Sequence, residues 1–177
     1  MFDLIKHLNE NDIEHTVSDL GNITVTGNLD LRHVSGVDAL PDNLTVVGAL
    51  NLSYTSITNL PDNLTFSSLS MICTSIATLP DNLTVGSSFN LRGSLNLRGT
   101  SIATLPDNLT VGGSLNLRDT SIATLPDNLT VSSLDLRDTS ITNLPDNLTV
   151  GEVVFLSRSS TITIPDNFSG TTVFLDA

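Results

Sequence analysis

Seven times along this chain a proline follows an apolar residue and precedes Asp-Asn, at Pro41, Pro61, Pro80, Pro106, Pro126, Pro145 and Pro165. The steps between them are 20, 19, 26, 20, 19 and 20 residues, and the first six copies read Leu-Pro-Asp-Asn-Leu-Thr. A unit of about 20 residues cannot bury a hydrophobic face by itself. Stacked coils, each covering the next, pair the backbone and hide the leucines together. The repeat therefore dictates a solenoid before any other property is considered.

In the unit from Leu115 to Val131, apolar residues first alternate and then recur at spacings of three to five. Alternation marks a short strand, with Leu115 and Leu117 inward and Asn116 and Arg118 outward. The remainder turns. Parallel stacking of such strands at about 4.8 Å per rung gives about eight rungs and a rod near 40 Å long. In Pro-Asp-Asn, proline fixes φ while Asp and Asn close side-chain-to-backbone turns, so each coil is told where to bend. Thr55, Thr74, Thr100, Thr120 and Thr139 share one column, where a small hydroxyl can satisfy backbone groups at the bend.

Composition agrees with many small, similar layers: 39% of residues are hydrophobic but only 4% aromatic, with no Trp. At 177 residues one domain is expected. A net charge of -12 and a pI near 4.2 weigh against direct binding to nucleic acid or anionic membrane, both of which require basic side chains. Cys73 is a single cysteine, so no internal disulfide framework is expected. The first residues contain no apolar run long enough for a signal peptide or a span, which predicts a soluble, cytoplasmic protein. Residues 1–27 depart from the repeat. Phe2, Ile5 and Leu8 lie at helical spacing, predicting a capping helix over Asp3–Asn9 followed by irregular coil through Ile13 and Val17. The solenoid is expected over 28–177.

The pattern L-x-L-x-x-T-x-I-x-x-L-P resembles the leucine-rich repeat, L-x-L-x-x-N-x-L, with Thr in the Asn position. Its 20-residue length and Leu-Pro pair are similar to the LPX subtype of bacterial secreted effectors, and the likeness covers about Asn28 to Ala177. The resemblance implies a right-handed, mainly β solenoid from a bacterial or bacteriophage source that binds proteins on its strand face, and it implies no chemistry. The effectors' catalytic domain has no counterpart here. Two departures are visible: Thr replaces Asn throughout, and the Leu-Thr-Val-Gly-Gly stretch reads as an added β segment. The cross-section is thereby expected to approach a three-sided β-helix.

Catalysis is not expected. The histidines are His7, His15 and His33, and no nucleophile motif, phosphate loop or metal-ligand spacing appears. No cofactor and no metal are anticipated. Asp42, Asp62, Asp81, Asp107, Asp127, Asp146 and Asp166 form a one-sided acidic edge, explained by turn formation or, more sharply, by mimicry of a polyanion; single carboxylates a rung apart supply too few oxygens for tight Ca²⁺ binding. Recurring Asn-Leu-Thr matches a glycosylation acceptor but follows from the turn.

Two outward strand columns are the candidate protein-binding face. One contains Asn96, Asn116 and Asp135; the next contains Arg98, Arg118 and Arg137, flanked by Asp119 and Asp138. The plain alternative is a set of weak ion pairs. The 26-residue step carries a six-residue insert near 86–92 that is expected to leave the rod as a loop, with Phe89 exposed or folded back. Aligning Val154-Phe155-Leu156 and Val173-Phe174-Leu175 with Leu115-Asn116-Leu117 puts Phe155 and Phe174 outward on adjacent rungs, an apolar patch suited to a homodimer or to partner docking. The leading expectation is a non-catalytic protein-binding scaffold acting through its strand face, insert or C-terminal coil. The alternative is an acidic, nucleic-acid-mimicking inhibitor of a DNA- or RNA-binding defence enzyme.

Overall fold

A computed structural model describes residues 2–81, 83–86, 93–107 and 109–175. It contains helix α1 (Leu4–Glu10) and thirteen strands. The first seven are β1 (His15–Val17), β2 (Ile23–Val25), β3 (Leu29–Asp30), β4 (Leu44–Val46), β5 (Ala49–Asn51), β6 (Ser68–Ser70) and β7 (Thr84–Val85). The rest are β8 (Leu95–Asn96), β9 (Thr110–Val111), β10 (Ser114–Asn116), β11 (Thr130–Asp135), β12 (Thr149–Ser157) and β13 (Thr171–Leu175). No helix of the described residues is long and apolar enough to cross a membrane.

The chain is a mainly β, parallel-stranded solenoid of about seven turns. Its main sheet has eight strands in the order β3, β5, β6, β8, β10, β11, β12, β13, so successive coils always neighbour each other. Register is held by one inward column: Leu29 pairs with Leu50, then Leu69, Leu95, Leu115, Leu134 and Val154. All seven are buried. The Leu-Thr-Val segments make a second face, with β2 on β4 and β7 on β9. In β11 and β12 the two faces run together into single strands of six and nine residues. Gly151 and Glu152 of β12 there oppose Ser132 alone, a β-bulge that absorbs the extra residue of a 20-residue step.

Each coil contributes the same inward set. In the coil from Leu115 these are Leu115, Leu117, Ile122, Leu125, Leu129 and Val131, all buried. They come from three sides, so the section is that of a β-helix, as the added β segment foreshadowed. The threonine column closes the corner after the main strand. Thr55, Thr74, Thr100, Thr120 and Thr139 each donate their hydroxyl to the carbonyl three residues back, at 2.6 to 3.0 Å.

The N-terminal segment differs from expectation in one respect. Helix α1 forms with Asp3 as its N-cap, accepting the Lys6 N–H at 3.0 Å. The stretch expected to be irregular instead places β1 antiparallel on β2, and β2 pairs in parallel with β4. Coil-to-coil pairing thus reaches back to Ile23, because Asn22-Ile-Thr-Val25 repeats the Asn-Leu-Thr-Val of later coils.

The insert leaves the stacking untouched. Leu95 pairs directly with Leu69, and Gly93 lies against Gly86 and the Ser67 carbonyl so closely that a Cβ would collide with both. Six residues, Ser87 to Arg92, therefore separate two glycines that are in contact. Phe89, expected there as a binding residue, lies outside the described residues.

Candidate functional site: the strand face and the acidic edge

The outward polar column is first a column of turns. The Oδ1 atoms of Asp30, Asn51, Asn96, Asn116 and Asp135 each accept the backbone N–H two residues ahead, at 3.0 to 3.2 Å. Asx turns of this kind let the strand end in a sharp corner. Ser70 has no side chain long enough, and Ser53 of the preceding coil substitutes: its Oγ lies 2.9 Å from Ser70 Oγ and accepts the Ile72 N–H at 3.2 Å.

The next residues turn back on themselves. Asn96, Asn116 and Asp135 are followed by Arg98, Arg118 and Arg137, whose charges are matched within the molecule. Arg98 Nε lies 3.1 Å from Asp119, and Arg118 Nε lies 3.2 Å from Asp138 and 3.6 Å from Asp119, so two ion pairs cross between rungs. Arg137 grips Asp135 through Nε at 2.9 Å and Nη2 at 2.6 Å. That hydrogen-bonded carboxylate raises the Arg137 pKa above its ordinary value, outweighing the opposing effect of burial. The guanidinium carbon sits 5.8 Å from the Phe155 ring centroid. This half of the face is closed on itself.

The other half is not. One corner column holds His33, Tyr54, Cys73, Gly99, Asp119 and Asp138, all with left-handed backbone at φ from 53° to 66°. Gly and Asp suit that conformation; Tyr and Cys are held in it at a cost. His33 and Tyr54 stack, ring centroids 4.6 Å apart and 12° from parallel, and Tyr54 is 49% exposed. Half-buried Ile72 and exposed Cys73 extend the patch on the next rung, where the Tyr54 N–H donates to the Ile72 carbonyl at 2.9 Å. Reasoning from the sequence missed this patch. The available signal was a column in which three successive coils carry His, Tyr and Cys where the next three carry Gly, Asp and Asp.

The C-terminal phenylalanines do not share a column. Phe155 pairs with Val173, while Phe174 pairs with Leu156, one residue out of the expected alignment. Partners on neighbouring parallel strands face the same way, so Phe174 follows the core-facing Leu156. Phe155 is half-buried under Arg137 and Phe174 is 42% exposed. The adjacent-rung apolar patch is corrected accordingly. In this coil Phe168 stands where other coils have Leu, and Gly170 closes on its ring, a local difference that no repeat average discloses.

Asp42, Asp62, Asp81, Asp107, Asp127, Asp146 and Asp166 are all exposed along one edge. None takes part in a salt bridge among the described residues. Shallow clefts of about 260–270 Å³ lie between coils beside Asp62, Asp81 and Asp107. Among the described residues no group of three or more His, Cys, Asp or Glu could hold a metal ion. Nor does a hydrogen bond join a histidine ring to a serine or threonine hydroxyl or a cysteine thiol there: the His7 ring meets Asn11, and the His15 ring meets the Ile13 carbonyl. No family model, curated protein or solved structure matches the chain.

Proposed function

We propose that this protein is a non-catalytic scaffold that binds another protein through the N-terminal half of its strand face. The observation that carries the reading is the His33–Tyr54 stack, extended by Ile72 and Cys73. Tyrosine supplies large, stiff, amphipathic contact area and is enriched at binding hot spots. The left-handed corner that recurs in each of these coils sets the two rings one above the other on adjacent rungs. Leucine-rich-repeat proteins, which the pattern resembles, bind partners on the same face.

Mimicry of nucleic acid is the second reading, favoured by an aspartate edge without ion-pair partners among the described residues. Its charge density is low for the purpose. One carboxylate per rung is one charge per about 4.8 Å, whereas duplex DNA carries one per about 1.7 Å. The scaffold is therefore preferred. Photocrosslinking in the source cells discriminates: with benzoylphenylalanine at position 54, 116 or 127, a discrete protein adduct is expected from 54. Adducts from 127 alone, removed by salt, would instead support the mimic.

A further inference from the structure

We infer that the seam between α1 and the first coil is a docking cleft for a basic, amphipathic segment of a protein partner. This rests on the protein-binding reading and gives it a second contact. The seam is an open cleft of about 640 Å³. Its floor is apolar, built from Leu4, Ile5, Ile23, Leu40 and Pro41. Its rim carries three exposed carboxylates, Asp3, Asp38 and Asp42.

Chemistry narrows the occupant. An apolar floor calls for an apolar side chain, and three rim carboxylates call for cations. On α1 itself the one lysine, Lys6, has its ammonium 3.7 Å from Glu10. Arg32, Arg98, Arg118 and Arg137 are committed on the strand face. An anionic membrane or a nucleic acid is repelled by such a rim. Asp42 is also the first residue of the acidic edge, so the cleft opens onto a row of carboxylates spaced about 4.8 Å apart. An extended segment advances about 3.3 Å per residue, and a basic residue at every third position would meet alternate carboxylates. The structure thus assigns the partner segment a form: apolar residues seated in the seam, then spaced Lys or Arg along the edge.

A fluorescein-labelled synthetic peptide tests this, with two leucines followed by lysine at every third position among serines and glycines. Fluorescence anisotropy at low salt is expected to show saturable, micromolar-range binding (Kd about 1–100 μM). Ala39→Arg, which fills the cleft from an exposed lining position, is expected to weaken binding at least about tenfold. Asp38→Asn with Asp42→Asn serves as a second variant that leaves the core alone and should weaken it several-fold. Asp127→Asn with Asp146→Asn, far along the edge, should have a smaller effect than the seam pair. Absence of binding overturns the proposal, as does equal binding by a peptide whose leucines are replaced by serine, or equal loss from both aspartate pairs; these last two would mean diffuse charge attraction. Crosslinking from position 54 is read separately. An adduct there without peptide binding sinks the seam and leaves the scaffold standing, while peptide binding without that adduct does the reverse.

Discussion

Thr110 and Thr120 stand ten residues apart, the first exposed on β9 and the second buried with its hydroxyl 2.6 Å from the Leu117 carbonyl. Removing the second hydroxyl leaves a buried acceptor unsatisfied. Thr120→Val is expected to cost about 1–3 kcal/mol in urea unfolding, and Thr110→Val less than about 0.5 kcal/mol. Equal losses would refute the division of threonines into corner and surface columns. Leu117→Ala should cost about 2–5 kcal/mol through the cavity it opens. Asn116→Ala, which alternation alone marks as neutral, should cost about 0.5–1.5 kcal/mol because its Oδ1 holds the Arg118 N–H. At the left-handed corner, Cys73→Gly removes a steric cost of about 1–2 kcal/mol against a chain-entropy cost of about 0.5–1 kcal/mol. Its melting temperature should hold or rise, and a clear fall would contradict strain at that column.

Among the elements, the insert gives the sharpest test. Deleting Ser87 to Arg92 joins Val85-Gly86 to Gly93-Ser94-Leu95, the same five-residue sequence as Val111 to Leu115. Since Gly86 and Gly93 already touch, the shortened chain should fold with an unchanged circular dichroism spectrum and an equal or higher melting temperature. Gly93→Ala should be strongly destabilising, as its Cβ meets backbone on two sides. What the sequence discloses at this scale is what recurs. Six inward residues per coil, the Pro-Asp-Asn turns and the Thr corner are legible because each copy repeats the same physical demand. The strand β1 is not, since His15–Val17 has no counterpart in the later coils and pairs antiparallel where every coil-to-coil pairing is parallel. The register of β13 is hidden for another reason: Thr171 to Leu175 alternates acceptably in either phase, and the pairing of Phe174 with Leu156 is visible only in the fold. The corner column can be aligned from the sequence, but its left-handed backbone and the stacking of Tyr54 on His33 cannot.

Over the whole molecule, charge is divided by face. Arginines pair with aspartates on the strand side, while the turn edge carries aspartates without partners among the described residues. Exposed pairs contribute only a few tenths of a kcal/mol each, and a net charge of -12 repels itself. Raising salt from about 10 to 300 mM, which shortens the Debye length from about 30 to below 8 Å, should therefore raise the melting temperature. A fall would mean that the arginine zipper outweighs the edge. Because each coil touches only its neighbours, stability is approximately a sum of coil and junction contributions.

That nearest-neighbour character has a price in uniqueness. Ser101 to Val111 and Ser121 to Val131 are the same sequence, so either segment can occupy the other's berth, leaving one whole coil looped out as a phase slip. What breaks the translational symmetry is irregularity: the Gly86–Gly93 pinch on one side of the identical pair and the Gly151–Glu152 bulge on the other. These act as fiducial marks that tell the chain which rung it is on.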